Sequence, residues 1–145
     1  MESPVERKLK ELEERITALE GGSPTNFTGD LVHFSGNVTV GPRTYQYEWA
    51  RPAQKLTDDL FHDSLERATA LAHPIRHRIL RMLIDGPASV TDLVAAGISS
   101  SGTAYHHLGA LQAAGWVTKR DGNFEIPVSR MVPLLVIVAA CEDHR

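Results

Sequence analysis

The chain has 145 residues, enough for one modest domain with an appendage and too few for two large cores. Its apolar and charged fractions, 42% and 23%, are those of an ordinary globular protein, and the formal net charge of −3 gives no bulk attraction for nucleic acid, so any such binding needs a local patch. The lone cysteine, Cys141, excludes an internal disulfide framework and argues against a thiolate zinc site, which suits a reducing cytoplasm.

The opening stretch MESPVERKLKELEERI has no apolar core of the signal-peptide kind. The longest apolar run, MVPLLVIVAAC from Met131, is far too short to span a bilayer. The expectation is a soluble cytoplasmic protein with no membrane partner.

Residues 3–20 carry a short heptad pattern. Val5, Leu9, Leu12, Ile16 and Leu19 recur at steps of four and three, which places Leu9 and Ile16 at a and the others at d. Lys8 and Arg15 fall at g, and Glu6, Glu13 and Glu20 at e. In a parallel in-register pair Lys8 meets Glu13 and Arg15 meets Glu20. An antiparallel pair sets like against like, so the pattern favours a parallel homodimer, the alternative being one amphipathic helix lying on its own domain. So short a helix is marginal alone. Gly21-Gly22 and Ser23-Pro24 should end it.

The period changes to two over residues 27–49. Val38 and Val40 share one face. Tyr45, Tyr47 and Trp49 share another, opposite Thr44, Gln46 and Glu48. The intervening GPR reads as a turn, which predicts a β-hairpin or three-strand meander closed by Arg51-Pro52. An isolated hairpin is unstable in water, so its aromatic face must pack on the chain's own domain or dimer mate, or offer a docking surface for an effector or protein partner.

Beyond residue 55 the pattern predicts four helices, a short hairpin and a last helix. Thr57 is the expected N-cap of the first, with Asp58 and Asp59 in its first turn and Leu60, Phe61, Leu65, Ala68 and Leu71 as its apolar stripe. Pro74 opens the second, with Ile75, Ile79, Leu80, Leu83 and Ile84 inward and Gly86 after its end. Ser89 caps the third, which packs Val90, Leu93 and Val94. A tight link through Ile98 leads to SSSGTAYHHLGALQAAGWV. Asp121-Gly122 then marks a hairpin turn, and Ser129 begins the last helix with Pro133 in its first turn.

Two short helices joined tightly, the second ending at glycine before a hairpin, describe a winged helix-turn-helix, in which the second helix enters the DNA major groove. At about 100° per residue, Ala104, Leu108 and Leu111 point inward. Gly102, His106, Gly109 and Ala113 point outward, with Tyr105 at the flank. Small residues let the backbone approach the groove, while Tyr105 and His106 offer donors and acceptors. Ser99, Ser100, Ser101 and Thr103 stand at the helix N-terminus, suited to phosphate oxygens. Lys119, Arg120 and Asn123 lie at the wing tip. The fold class expected is mainly α with a small β component. The chain divides into 1–22 (short parallel coiled-coil helix), 23–54 (β-hairpin extension and linker) and 55–145 (winged helix-turn-helix DNA-binding and dimerisation domain).

The ordered set ALAHPIRHRILRML, SVTDLVAAGISSSGTAYHHLGALQAAGWV, short wing and apolar last helix resembles the ArsR-type transcriptional regulators over roughly residues 60–142. His73-Pro74-x-Arg76 matches that family's usual second-helix opening, and His107-Leu108, Leu111 and Ala114-Gly115-Trp116-Val117 its recognition-helix ending. The resemblance implies a homodimeric regulator of double-stranded DNA, usually a repressor, reading an inverted-repeat operator through a recognition helix at about 100–114 and a wing at about 116–126. The DNA-facing residues expected are Ser100, Ser101, Gly102, Thr103, Tyr105, His106, His107, Lys119, Arg120 and Asn123, with His107 nearest the packed edge and suited to orienting or phosphate contact. The resemblance also implies dimerisation through the first and last helices, so Leu134, Leu135, Ile137 and Val138 join the heptad residues as interface candidates. The alternative is a winged-helix protein-interaction module whose coiled coil and hairpin dock a partner, with weak or no DNA binding.

The helix before the recognition turn, SVTDLVAAG, lacks the cysteine pair of the family's metal sensors, and the last helix is apolar. His73 and His77 have metal-ligand spacing but no evident third ligand, and Cys141, Asp143 and His144 form only a weak terminal cluster. His106 and His107 diverge by about 100° and no nucleophile accompanies them. The expectation is therefore no metal, no cofactor and no enzymatic activity.

Overall fold

The computed structural model describes residues 2–19 and 29–145. The stop expected at Gly21-Gly22 and Ser23-Pro24, the e-position Glu20, the 22/23 boundary and the first residues of the 27–49 segment lie outside the described residues. Helix α1 spans Pro4–Leu19. Ser3 starts it with a reciprocal capping box: the Glu6 N–H donates to Ser3 Oγ at 3.1 Å and the Ser3 N–H to Glu6 Oε2 at 2.7 Å. Val5, Leu9, Leu12 and Ile16 are all exposed, so these four a/d residues are not spent on the chain's own core. Lys8 reaches Glu11 of its own helix at 3.2 Å.

Strands β1 (Leu31–Val40) and β2 (Arg43–Pro52) form an antiparallel hairpin. It is two-stranded among the described residues, not a meander. Val38 stands opposite Tyr45 and Phe34 opposite Trp49, and cross-strand partners share a face. The valines and the aromatics, expected on separate faces, therefore make one. Phe34, Tyr47 and Trp49 stack along it at centroid spacings of 5.9 and 6.0 Å, and the Arg51 guanidinium lies 3.7 Å from the Trp49 ring centre.

The helical stretch after Pro52 is broken. It comprises α2 (Ala53–Lys55), a π-helical turn (Leu56–Leu60), α3 (Phe61–Asp63) and α4 (Leu65–Leu71). Thr57 is not an N-cap, because the helix begins four residues earlier; its hydroxyl donates back to the Gln54 carbonyl at 3.1 Å. The expected inward stripe is corrected too. Phe61 and Leu65 are 67% and 68% exposed and Ala68 is also exposed, while Ala70 and Leu71 are buried. The π-turn and the break at Ser64 shift the phase that a regular 3.6-residue repeat assumes.

Helices α5 (Pro74–Asp85), α6 (Val90–Ala95) and α7 (Ser101–Ala113) enclose the core with the wing strands β3 (Thr118–Arg120) and β4 (Asn123–Glu125) and helix α8 (Val128–Ala140). Ile79, Leu83, Leu93, Leu108, Leu111 and Met131 are its most enclosed side chains. Val94, expected inward on α6, is exposed. Ala88 exchanges both backbone hydrogen bonds with Phe124, a single-residue bridge onto the wing that the pattern did not reveal. Helix α8 starts at Val128, one residue before the expected Ser129, so Pro133 falls in its second turn and cannot donate to the Ser129 carbonyl.

The hairpin packs on α8. Val38, Val40, Tyr45 and Tyr47 join the core, and a Cβ placed on Gly36 would stand 2.6 Å from Val132 Cγ1. No helix among the described residues is long and apolar enough to cross a membrane.

Candidate nucleic-acid interface

The turn between α6 and α7 is built by short polar residues and one arginine. Ser89 and Asp92 form a reciprocal capping box at the start of α6, at 2.9 and 3.1 Å, and the Ser89 hydrogen bonds hold the Asp92 carboxyl below its ordinary range. Ile98 plugs the turn into the core. Arg78 donates to the Gly97 and Ile98 carbonyls at 3.2 and 3.4 Å. Ser100 then caps α7, accepting from the Thr103 N–H at 3.4 Å. At the other end Gly115, with φ of +79°, takes the left-handed position after the helix, and the Trp116 N–H closes onto the Leu111 carbonyl at 3.0 Å.

This frame divides α7 cleanly. Ala104, His107, Leu108 and Leu111 are buried; Ser101, Gly102, Tyr105, His106, Gly109, Gln112 and Ala113 are exposed. A Cβ added to Gly102 or Gly109 would meet nothing within 4 Å. The glycines are therefore not packing against the rest of the chain, and they leave the exposed side of the helix low and open. Gln112 belongs to that side; its position three residues after Gly109 was the available signal.

His107 is the exception among the expected DNA-facing residues. Only 6% of it is exposed, and its Nδ1 accepts from Arg76 Nε at 3.1 Å. Positions 104, 107, 108 and 111 form the inward stripe of a 3.6-residue repeat, so His107 faces the core. Burial, then the neighbouring His73, Arg76 and His106, hold its imidazole below the ordinary range. His73 is engaged as well: it caps α5 by accepting from the Ile75 N–H at 3.1 Å.

The wing turns at Asp121-Gly122, with φ of 52° and 79°, as the dipeptide predicts. Lys119 and Asn123 are exposed, Lys119 with its ammonium 5.5 Å from the Phe124 ring centre. Arg120 is paired with Glu125 at 2.7 Å, which offsets part of its charge. Leu134, expected at a dimer interface, is buried in this chain's own core, and Leu135 is half-buried. Ile137 and Val138 on the same helix are exposed.

Residues 71–120 match a family model described as a helix-turn-helix domain. Among solved structures the chain is similar to Rv0081 of Mycobacterium tuberculosis, with 31% identity over 57% of this chain and 88% of that one, at a TM-score of 0.50. It is similar also to Mb0332 of Mycobacterium bovis, described as a homodimeric winged helix-turn-helix DNA-binding domain and "a possible ArsR-family transcriptional regulator", with 27% identity, 66% and 94% coverage and a TM-score of 0.49. HlyU from Vibrio cholerae shares 24% identity over 57% of this chain and 98% of its own, with a TM-score of 0.46. No curated protein matches the chain.

A capped helix–turn–helix, an open recognition face and a two-strand wing bridged by Ala88 define a winged helix-turn-helix DNA-binding domain. The family match across residues 71–120 and the likeness to Rv0081 both fall on this domain: the chain carries a helix-turn-helix domain of the winged type.

Proposed function

We propose that the protein is a homodimeric, sequence-specific repressor acting in the cytoplasm. In this reading α7 enters the major groove of each half of an inverted repeat and the wing rests on the adjacent backbone. The observation that carries it is the exposed side of α7. Gly102 and Gly109 serve no internal contact there, and Tyr105 and His106 stand between them in solvent. A helix needs two bare glycines on its outer side when another surface must come close to its backbone. Ser101 and Thr103 in the first turn, with Lys119 and Asn123 on the wing, supply phosphate contacts. Arg120 contributes when it exchanges Glu125 for a phosphate. His107 orients the helix from behind.

The dimer fits the same reading. Phe61 and Leu65 on α3 and α4, and Ile137 and Val138 on α8, are large apolar side chains left in solvent by the single chain. A two-fold partner covering them would set two recognition helices about one turn of DNA apart, ~34 Å. Selection of genomic fragments with the purified protein, followed by binding at several salt concentrations, tests the proposal. An enriched inverted repeat bound well above random duplex, with a steep salt slope from phosphate neutralisation, is the expected result. Absence of enrichment would overturn it and leave the protein-docking alternative.

A further inference from the structure

The residue that holds His107 also holds a third helix. Arg76 Nε donates to His107 Nδ1 on α7 at 3.1 Å, and its Nη1 donates to the Ala70 carbonyl in the last turn of α4 at 3.3 Å. One guanidinium on α5 thus joins the recognition helix to the helix whose Leu65 stands exposed. The joint has a chemical condition. A guanidinium only donates, so Nδ1 must carry a free lone pair. Neutral His107, protonated on Nε2, meets that condition. The imidazolium carries N–H groups at both positions and faces Arg76 with a like charge.

Among the described residues, no acidic side chain is among the charges that act on His107. The groups that act on it are His73 at the N-cap of α5, Arg76 on α5 and His106 beside it on α7, all of them basic. The His73 ring centre is 4.3 Å away and that of His106 is 5.1 Å away. On α4 the ionisable Glu66 and Arg67 are exposed, and the Ala70 carbonyl is already taken by Arg76. On α6, Val90 and Leu93 face the core while Asp92 is held in its capping box.

We propose that the Arg76–His107 contact is a proton-released clamp on the recognition helix, with Arg76 as its positioning residue. Neutral His107 locks α7 against α5 and α4 in its reading position. Protonation removes the acceptor, sets two cations together and frees α7, so specific DNA binding falls on mild acidification. The inference rests on the DNA-reading role of α7.

The test uses the full chain and the duplex enriched by fragment selection, at about pH 7.5 and about pH 5.5, either side of the ordinary imidazole range. Wild type should lose about tenfold in affinity for the enriched duplex, the worth of one pKa unit. His107→Asn keeps an acceptor near the Nδ1 position and cannot titrate; it should hold its affinity within about twofold. Equal loss in both proteins, or no loss in wild type, would overturn the clamp. Arg76→Lys removes the planar two-armed donor and should weaken binding at the higher pH, where His107→Asn does not. Nitrogen-15 NMR of wild type without DNA decides the matter independently of any variant's folding or of DNA binding. His107 should be the Nε2–H tautomer near neutrality, and its titration should shift the amides of Ser101–Ala113. Titration that leaves those amides still would sink the proposal, while coupled shifts in a protein that binds no duplex would retire only the DNA reading.

Discussion

Tyr105 and His106 are exposed between two buried neighbours, Ala104 and His107, so two consecutive side chains leave the core for solvent while the helix stays pinned on both sides. Replacing both with alanine leaves the inward stripe untouched. Affinity for the enriched site should fall by about 1–3 kcal/mol per lost base contact, with little change on random duplex. Equal loss on both would show that they touch phosphate alone. Gly36 is a packing requirement of the opposite kind. Its missing Cβ leaves room for the buried, β-branched Val132, whose Cγ1 would lie 2.6 Å from it. Gly36→Ala should destabilise the fold by about 1–3 kcal/mol, and Val132→Ala in the same chain should recover part of that loss. Urea unfolding of the two single variants and the double variant measures the coupling. His107 contributes a pH dependence of stability. Its folded pKa is depressed, so the unfolded chain takes up the proton first as the pH falls. The contribution is complete above the ordinary imidazole pKa, about 6.5, and is lost as the pH passes down through the lower folded value. Urea midpoints should therefore drop from about pH 7.5 to about pH 5.5 in wild type, and less steeply in His107→Asn; parallel slopes would assign the drop to other groups.

The elements differ in how plainly the sequence announces them. Helices α5 and α7 carry both end signals, Pro74 with Gly86 and Ser100 with Gly115, while Ser89 opens α6. Local chemistry and tertiary packing agree there, so periodicity places Ile79, Leu93, Leu108 and Leu111 correctly. The stretch 53–71 misleads because a π-turn changes the phase midway, and no residue in LTDDL marks such a turn. The Ala88–Phe124 bridge was illegible for another reason, since a single pairing residue has no period. His107 was misplaced by one position's rotation: a histidine on an inward stripe looks polar until Arg76, thirty-one residues away, is seen to satisfy it. Helix α1 tests the pattern from the other side. Its heptad was legible, and Val5, Leu9, Leu12 and Ile16 are exposed in the single chain. Leu12→Lys with Ile16→Lys should abolish pairing of the N-terminal helices, seen as lost cross-linking between cysteines placed at Leu9 of each chain. Because so short a coiled coil is marginal alone, the dimer itself should survive in sedimentation. Cross-linking that persists would mean that α1 lies elsewhere.

At the scale of the whole molecule the apolar side chains fall into two groups. One closes the core across α5–α8, the wing and the hairpin. The other stays in solvent and includes Phe61, Leu65, Ile137 and Val138 on the helices that flank the DNA-reading unit, besides the exposed α1 residues and single residues such as Val94 and Val128. The two groups meet on α8, where Met131, Val132 and Leu134 are buried and Ile137 and Val138 are not, so substitutions at 137 and 138 can test association without opening the core. Ile137→Glu with Val138→Glu places two like charges at each side of a two-fold contact, which is self-repelling because an isologous interface meets its own residues. The variant should sediment as a folded monomer whose urea midpoint no longer rises with protein concentration. Its binding to an isolated half-site should match wild type, while binding to the full inverted repeat should lose the gain that linking two readers supplies, about 10²–10⁴ in affinity. Its salt slope on the full repeat should fall to about half, since each dissociated chain neutralises only its own phosphates. A double variant that stays dimeric and keeps both the affinity and the slope would place the interface away from α8.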